Sequence, residues 1–136
     1  MTENEKKKEF LMSYQKEKRR VRRLEQQLEE LRQNKMSPSV TNDGMPHGTD
    51  KKDLSDYAAK VDEIEQELVA ARYSRICAFQ DVQKRIETME DEREKDLLTY
   101  RYLRGLKWEE VAVRMDYSWQ HTHKVHSRAL ENLKMR

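Results

Sequence analysis

The sequence predicts an all-α protein in which an N-terminal coiled-coil hairpin of long helices precedes a C-terminal domain of shorter helices. Charged residues make up 40% of the 136 residues and aromatic residues 7%, a composition typical of long helices with little globular core. Apolar residues also recur at helical spacings along most of the chain. We therefore predict four segments: a basic coiled-coil helix over 1–33, a loop over 34–52, a long helix over 53–90 that completes the hairpin or forms a dimer surface, and a helix-turn-helix domain over 91–136.

The first helix is predicted from apolar positions that alternate at spacings of three and four, the pattern of a coiled-coil seam. The seam consists of Tyr14, Glu17, Val21, Leu24, Leu28 and Leu31, and Glu17 is its one polar position. Between Lys16 and Arg23, six of eight residues are basic. This run fits a basic arm that contacts phosphates, and it also fits a solvated helix face. The acidic residues around it favour the solvated face.

The loop is predicted because residues 37–48 hold both prolines and two of the three glycines of the chain. Thr49, Asp50 or Asp53 is expected to cap the helix that follows. His47 in this loop is expected to be an ordinary turn residue rather than a metal ligand.

The second long helix carries its own seam, which favours antiparallel pairing with the first helix. This seam consists of Leu54, Tyr57, Val61, Ile64, Leu68 and Ala71, and it shifts by about one residue to Arg72, Ile76, Phe79, Val82 or Gln83, Ile86 and Met89. The second helix outruns the first, so its last apolar residues are expected to lack a partner in the N-terminal helix. Ile76, Phe79, Val82 and Ile86 should then support the C-terminal domain and form a homodimer surface.

The C-terminal segment has three apolar stripes separated by turn signals. The first stripe is Leu97, Leu98, Tyr102 and Leu103, ended by Arg104-Gly105; the second is Trp108, Val111, Ala112 and Met115; the third, on a helix over about 119–134, is Thr122, Val125, Ala129, Leu130 and Leu133. Ser118 is placed to cap the last helix. Three helices, with a short second helix and a tight turn before the third, are typical of a helix-turn-helix.

The polar face of the last helix has side chains suited to nucleic acid. It consists of Trp119, Gln120, His121, His123, Lys124, His126, Ser127 and Arg128. From residue 118 to the end, four Lys and Arg face one Glu, which favours an anionic partner. We predict base reading by Trp119, Gln120, His121 and Lys124, and phosphate contacts by Ser118, His123, Ser127 and Arg128 together with the N-terminus of the Trp108 helix. An ordinary solvated helix face is the alternative.

The spacing of several motifs resembles region 4 of sigma-70-type RNA polymerase sigma factors. The residues that carry the resemblance are Arg93 to Tyr102, Gly105, Trp108 to Ala112, Met115, Tyr117-Ser118 and Arg128 to Leu133. The whole chain further resembles phage-encoded transcriptional regulators of the ArpU/RinA type from Gram-positive bacteria, in which a loop similar to Asp43–Gly48 recurs. The resemblance implies a late-gene regulator that binds double-stranded DNA, with RNA polymerase as a second partner. Sigma factors carry Arg-Glu-Arg where this chain has Trp119, Gln120 and His121, so their base code should not apply.

No other chemistry is expected from the sequence. We find no catalytic constellation and no cofactor motif, and His123 with His126 would give a metal only two ligands. No apolar run approaches the length of a membrane span, and the single Cys77 cannot form an intrachain disulfide. We therefore expect a non-enzymatic protein in the bacterial cytoplasm. Two alternatives stay open: a DNA-packaging component similar to a small terminase subunit, and a module that binds mainly RNA polymerase.

Overall fold

The computed structural model describes residues 1–36 and 50–135, and it describes side chains at 1–33 and 53–135. The elements in chain order are α1 (Glu3–Met36), α2 (Asp50–Glu87), α3 (Glu92–Leu98), a π-helical turn (Thr99–Leu103), α4 (Trp108–Met115) and α5 (Trp119–Asn132). All regular structure in the described ranges is helical, which confirms the predicted all-α class. Most of the predicted loop, including Thr49 and His47, lies outside the described residues.

The two long helices extend further than the sequence predicted. α1 ends at Met36 rather than at residue 33, and α2 begins at Asp50 rather than at residue 53. Lys35, Met36, Lys51 and Lys52 are good helix formers, so nothing in these residues stops the helices at the predicted positions.

The described chain divides into two compact units. The central unit is Arg19–Tyr73, and the terminal unit combines Met1–Lys18 with Ser74–Arg136. The beginning of α1 and the end of α2 thus belong to the same unit as the C-terminal helices.

The central unit is an antiparallel pair formed by parts of α1 and α2. Arg32 pairs with Glu65 at 2.6 Å and Arg72 with Glu25 at 3.3 Å, so the two segments run in opposite directions as predicted. The buried residues are Val21, Leu24, Leu28, Ile64, Leu68 and Ala71. Leu54, which was predicted to lie in the seam, is 53% exposed. In this register the end of α1 faces residue 61, so Leu54 lies beyond any partner in α1.

The core of the terminal unit draws on every helix. Its buried residues are Leu11, Val82, Ile86, Met89, Leu97, Leu98, Tyr102, Leu103, Val111, Val125, Ala129, Leu130 and Leu133. Val82 and Ile86 therefore support the C-terminal helices, as predicted. The expectation that they lack a partner in the first helix was wrong, because Leu11 of α1 lies in the same cluster. Phe79 also packs edge-on against Tyr14, with 5.0 Å between ring centroids.

One stripe of α1 holds the C-terminal helices at their ends. Lys7, Leu11 and Gln15 are four residues apart and therefore share a helix face. The Lys7 Nζ donates to the Leu130 carbonyl at 2.8 Å, and the Gln15 Nε2 donates to the Tyr102 carbonyl at 3.0 Å. The last carbonyls of a helix have no partner within it. The first helix thus supplies donors to helix ends more than eighty residues away in sequence.

The turn after the π-helical segment requires glycine. Gly105 has φ +71°, a left-handed conformation that other residues adopt at a cost. A Cβ at this position would lie 3.1 Å from the Gln15 amide group. The π-helical turn closes with the Arg104 N–H donating to the Thr99 carbonyl at 2.9 Å. The predicted end of this helix at Arg104-Gly105 is confirmed.

Candidate nucleic-acid interface

A tight turn joins α4 to α5. Asp116 ends α4 in the left-handed conformation, with φ 56° and ψ 46°, and the Tyr117 N–H donates to the Ala112 carbonyl at 2.9 Å. The Ser118 Oγ accepts a hydrogen bond from the His121 N–H at 3.1 Å. The predicted cap and the predicted bounds of α4 are therefore confirmed, and the turn fixes where α5 begins.

The residues of α5 that face the core are those that the sequence predicted to be buried. The predicted inward residues Thr122, Val125, Ala129, Leu130 and Leu133 are all buried. The Thr122 hydroxyl is satisfied by donating to the Ser118 carbonyl at 2.8 Å, which explains how a polar residue occupies the core. The helix therefore has one defined outward face.

The outward face presents most of the predicted contact residues. Gln120, Lys124 and Ser127 are exposed at i, i+4 and i+7, so they form one stripe. His121 and Arg128, seven residues apart, are exposed beside this stripe. The structure thus brings amide, imidazole, ammonium, hydroxyl and guanidinium groups together along the first three turns of one helix.

His126 was assigned to the polar face, and this assignment was wrong. It is 7% exposed, its Nε2 lies 2.7 Å from the Tyr102 hydroxyl, and its ring packs edge-on against Trp108 at 4.5 Å. Position 126 is next to Val125 and four residues after Thr122, which turns it toward the core. Burial, together with the nearby charges of Lys8, His123 and Arg101, lowers the pKa of His126 from 6.5 to about 4.

The Tyr102 hydroxyl, like the His126 ring, is neutral. Burial raises the pKa of Tyr102 to about 12, although the neighbouring Arg101 acts in the opposite direction. Both members of the pair are therefore neutral at pH 7. Tyr102 and His126 join the π-helical turn to α5 and are part of the core rather than of the outward face.

The rings of His123, Trp119 and His121 each pack against another aromatic ring. His123 lies between Trp108 and Trp119, with centroid distances of 5.0 and 4.4 Å, and its Nε2 is buried without a hydrogen-bond partner among the described residues. Trp119 remains 51% exposed. His121 packs edge-on against Tyr117 at 4.4 Å. These contacts limit the orientations of three predicted contact residues.

The N-terminus of α4 is poorly suited to the phosphate contact that the sequence predicted. Glu109 and Glu110 occupy its first turn, and the Glu110 carboxylate accepts from the Lys107 N–H at 3.2 Å. These carboxylates already compensate the positive end of the helix dipole and would repel a second anion.

Two other features are absent from residues 1–36 and 50–135. No group of three or more His, Cys, Asp or Glu side chains is placed to hold a metal ion there. None of the helices in these ranges is long and apolar enough to cross a membrane.

The sequence did not reveal that α1 contributes side chains beside α5. Lys8 and Met12 of α1 line a cavity with Arg101, Trp108 and His123. The available signal was the apolar group Phe10, Leu11 and Tyr14, which begins earlier than the predicted seam. Its partner surface was not identifiable, because it lies more than sixty residues away along the chain.

The comparison with known families agrees with this geometry. Residues 91–135 match the family model described as Sigma-70, region 4, about a third of the chain. Sigma-70 region 4 is a helix-turn-helix DNA-binding domain, so the match confirms the resemblance over these residues and supports a DNA-binding regulator. No curated protein and no solved structure matches the chain.

Proposed function

We propose that this protein is a sequence-specific regulator of transcription that places α5 in the major groove of double-stranded DNA. The observation that carries the proposal is the exposed stripe of Gln120, Lys124 and Ser127 on a helix whose start is fixed by the Ser118 cap. A recognition helix needs such a face, since its first turns contact base edges.

The base-reading roles follow from the chemistry of the exposed groups. The Gln120 amide can donate to and accept from adenine, and Lys124 can donate to guanine. His121 lies beside this stripe and offers a ring nitrogen to a base edge. Trp119, half exposed, offers an apolar ring edge to a thymine methyl or a sugar.

The phosphate-contacting roles fall to residues around this stripe. Ser118 uses its oxygen as an acceptor for the helix cap, so its hydroxyl hydrogen remains available for a phosphate. Ser127 and Arg128 are exposed on the next turns. His123, whose ring packs between Trp108 and Trp119, is the fourth proposed phosphate contact. The exposed Glu131 limits the contact surface to the turns before it.

Two copies of the chain would give the affinity that a single small domain lacks. We propose a homodimer formed through the helical N-terminal half, with half-site spacing set by residues 54–90. Val69 of the central unit supports this, because it is a large apolar residue that is 66% exposed. The symmetry of a dimer would match a palindromic operator.

We further propose that the protein is a phage-encoded late-gene regulator of the ArpU/RinA type. The motifs quoted from the sequence support it. RNA polymerase is the proposed second partner, and the match to Sigma-70, region 4 favours it. A variant that no longer binds DNA can be tested for co-purification with RNA polymerase. If it still co-purifies, the result would indicate that polymerase binding is the main activity.

The direct test is nuclease protection of fragments of the protein's own genome. We expect wild type to protect a discrete site and the triple variant His121→Ala, Lys124→Ala, Arg128→Ala to lose this protection. A double variant, Lys60→Ala with Lys84→Ala, removes the same number of Lys and Arg charges from exposed positions on α2. It should protect the site as wild type does.

Equal protection by the wild type and the triple variant would contradict the assignment of α5 as the reading helix. Light scattering on the same preparations measures the number of subunits. A dimer agrees with the proposal, whereas a ring of eight or more subunits would favour a DNA-packaging component.

A further inference from the structure

A cationic cavity in the terminal unit lies beside the proposed reading face. Its volume is about 300 Å³, and it is lined by Lys8, Met12, Arg101, Tyr102, Trp108, His123 and His126. Three different elements supply its Lys, Arg and His side chains: α1, the π-helical turn and α5. No carboxylate lines it among the described residues.

Two observations show that this cavity suits an anion. The His123 Nε2 is buried beside the cavity and has no hydrogen-bond partner among the described residues, so a polar atom is left unsatisfied there. Besides burial, which acts most strongly, the charges of Lys8, His123 and Arg101 lower the pKa of His126, so the potential at that ring is positive. An anion placed there would gain donors and relieve repulsion between like charges.

The donors that remain available fit a phosphate group. The Arg101 guanidinium has five N–H donors. One of its nitrogens donates to the Leu106 carbonyl at 3.0 Å, and the remaining N–H groups are left for a ligand. The Lys8 ammonium is exposed and carries three donors. Lys8 and Arg101 therefore offer donors to the two anionic oxygens of a phosphodiester.

The position of the cavity identifies the source of the phosphate. His123 is four residues after Trp119 and four before Ser127, and both are proposed DNA contacts on α5. The sugar-phosphate backbones run along both sides of a helix that lies in the major groove. With α5 placed in the groove as proposed, a cavity on its flank would face one backbone of the bound duplex.

We propose that this cavity holds one backbone phosphate of the bound DNA and that Lys8 of α1 is a DNA-contacting residue. The inference rests on the proposed function and extends it, because it adds the first helix to an interface otherwise formed by the helix-turn-helix. A phosphate contact by Lys8 contributes affinity without sequence preference.

The test compares Lys8→Ala with Lys6→Ala, which removes the same charge from an exposed position on the same helix. Lys6 lies 3.9 Å from Glu3 and does not line the cavity. We expect Lys8→Ala to weaken binding about 3- to 10-fold on every duplex and to reduce the salt slope by about one. Lys8→Arg should retain most of the affinity, and Lys6→Ala should behave as wild type.

Phosphate-ethylation interference locates the contact. One phosphate whose ethylation blocks wild-type binding should lose its effect with Lys8→Ala, and tryptophan fluorescence in urea verifies that both variants remain folded. If Lys8→Ala binds DNA with the affinity and salt slope of wild type, the inference is overturned. The assignment of α5 as the reading helix would not be affected by this result. A second result would also overturn the inference. In this result, inorganic phosphate shifts the His123 NMR signals, but Lys8→Ala binds DNA as wild type does. Failure of wild type to bind any duplex specifically would instead remove the proposed function.

Discussion

The two units of this chain are stabilised in different ways. The central unit buries one apolar stripe from each of two antiparallel segments, and its ion pairs lie on the surface. The terminal unit buries residues from every helix, and polar side chains from one element satisfy backbone groups of another. A repeated local pattern is sufficient for the first, whereas the second depends on single contacts between distant residues.

This difference bears on function because the proposed interface lies on the terminal unit. A base-reading surface requires side chains held in place by rigid neighbours. In the terminal unit, the Ser118 cap, the Tyr102–His126 pair and the donors from α1 provide this support. Substitutions in the two units should therefore differ in how much they lower the free energy of unfolding. They should also differ in their effect on DNA binding.

The largest effect is expected at Leu11, which is fully buried in the terminal unit. Leu11→Ala should lower the free energy of unfolding by about 3 kcal/mol, because it removes buried methyl groups and leaves a cavity. Urea unfolding followed by tryptophan fluorescence measures this, since Trp108 and Trp119 both belong to the terminal unit. Val113→Ala, at a position of the same unit that is 80% exposed, is the matched control and should change stability little. An equally small change at both positions would contradict the role of α1 in this unit.

The next largest effect is a pH dependence that comes from His126. Its pKa is about 4 in the folded protein and 6.5 when unfolded, so the unfolded chain binds the proton first as the pH falls. Stability should therefore fall between pH 6.5 and 4, by about 2 kcal/mol after allowance for partial solvent access to the ring. His126→Gln removes the titrating group and should flatten this fall.

The groups that face His126 are Lys8, Arg101, Tyr102, Trp108 and His123. The exposed His121 provides the control, since His121→Gln should leave the fall in place. An unchanged pH profile in His126→Gln would contradict the assignment.

A smaller effect is expected at the turn that Gly105 forms. Gly105→Ala should destabilise the terminal unit by about 1–2 kcal/mol, because φ +71° is strained for alanine and the new Cβ crowds Gln15. Arg104→Ala, at the exposed neighbouring position, should change the urea midpoint little. If Gln15→Ala relieves part of the cost of Gly105→Ala in a double variant, the contact with α1 is verified. Additive costs would show that backbone strain alone is responsible.

The smallest effect is expected at the surface of the central unit. Arg32 and Glu65 form a 2.6 Å ion pair, but their side chains are 48% and 47% exposed. Arg32→Ala should therefore cost less than about 1 kcal/mol. If the thermal or urea midpoint of Arg32→Ala falls as far as that of Leu11→Ala, the two units do not differ in how they are stabilised.

The sequence predicted the elements that depend on local pattern. The bounds of α4, the Ser118 cap and the buried side of α5 all follow from spacing and residue type within a few positions. The antiparallel central pair follows from two complementary seams. Each of these signals lies within one helix or in the turn beside it.

Contacts between distant residues were not predictable in this way. Glu94 is buried because Asn132 donates to both of its carboxylate oxygens, at 2.6 and 3.2 Å. His126 is buried because Tyr102, on another element, supplies its hydrogen bond. Periodicity assigns polar residues to the surface, so it fails where a distant partner satisfies the polar group. Lys8 was missed beside α5 because the residues that line its cavity lie on elements distant in the sequence.

The measurement that tests the central claim most directly is selection of binding sites from a random duplex library by wild type and Gln120→Ala. If α5 reads base edges, wild type should enrich one motif, and the variant should lose preference at one or two positions of that motif. Lys60→Ala, on the central unit, should enrich the wild-type motif. The same motif from wild type and Gln120→Ala, or no enrichment by wild type, would contradict the account.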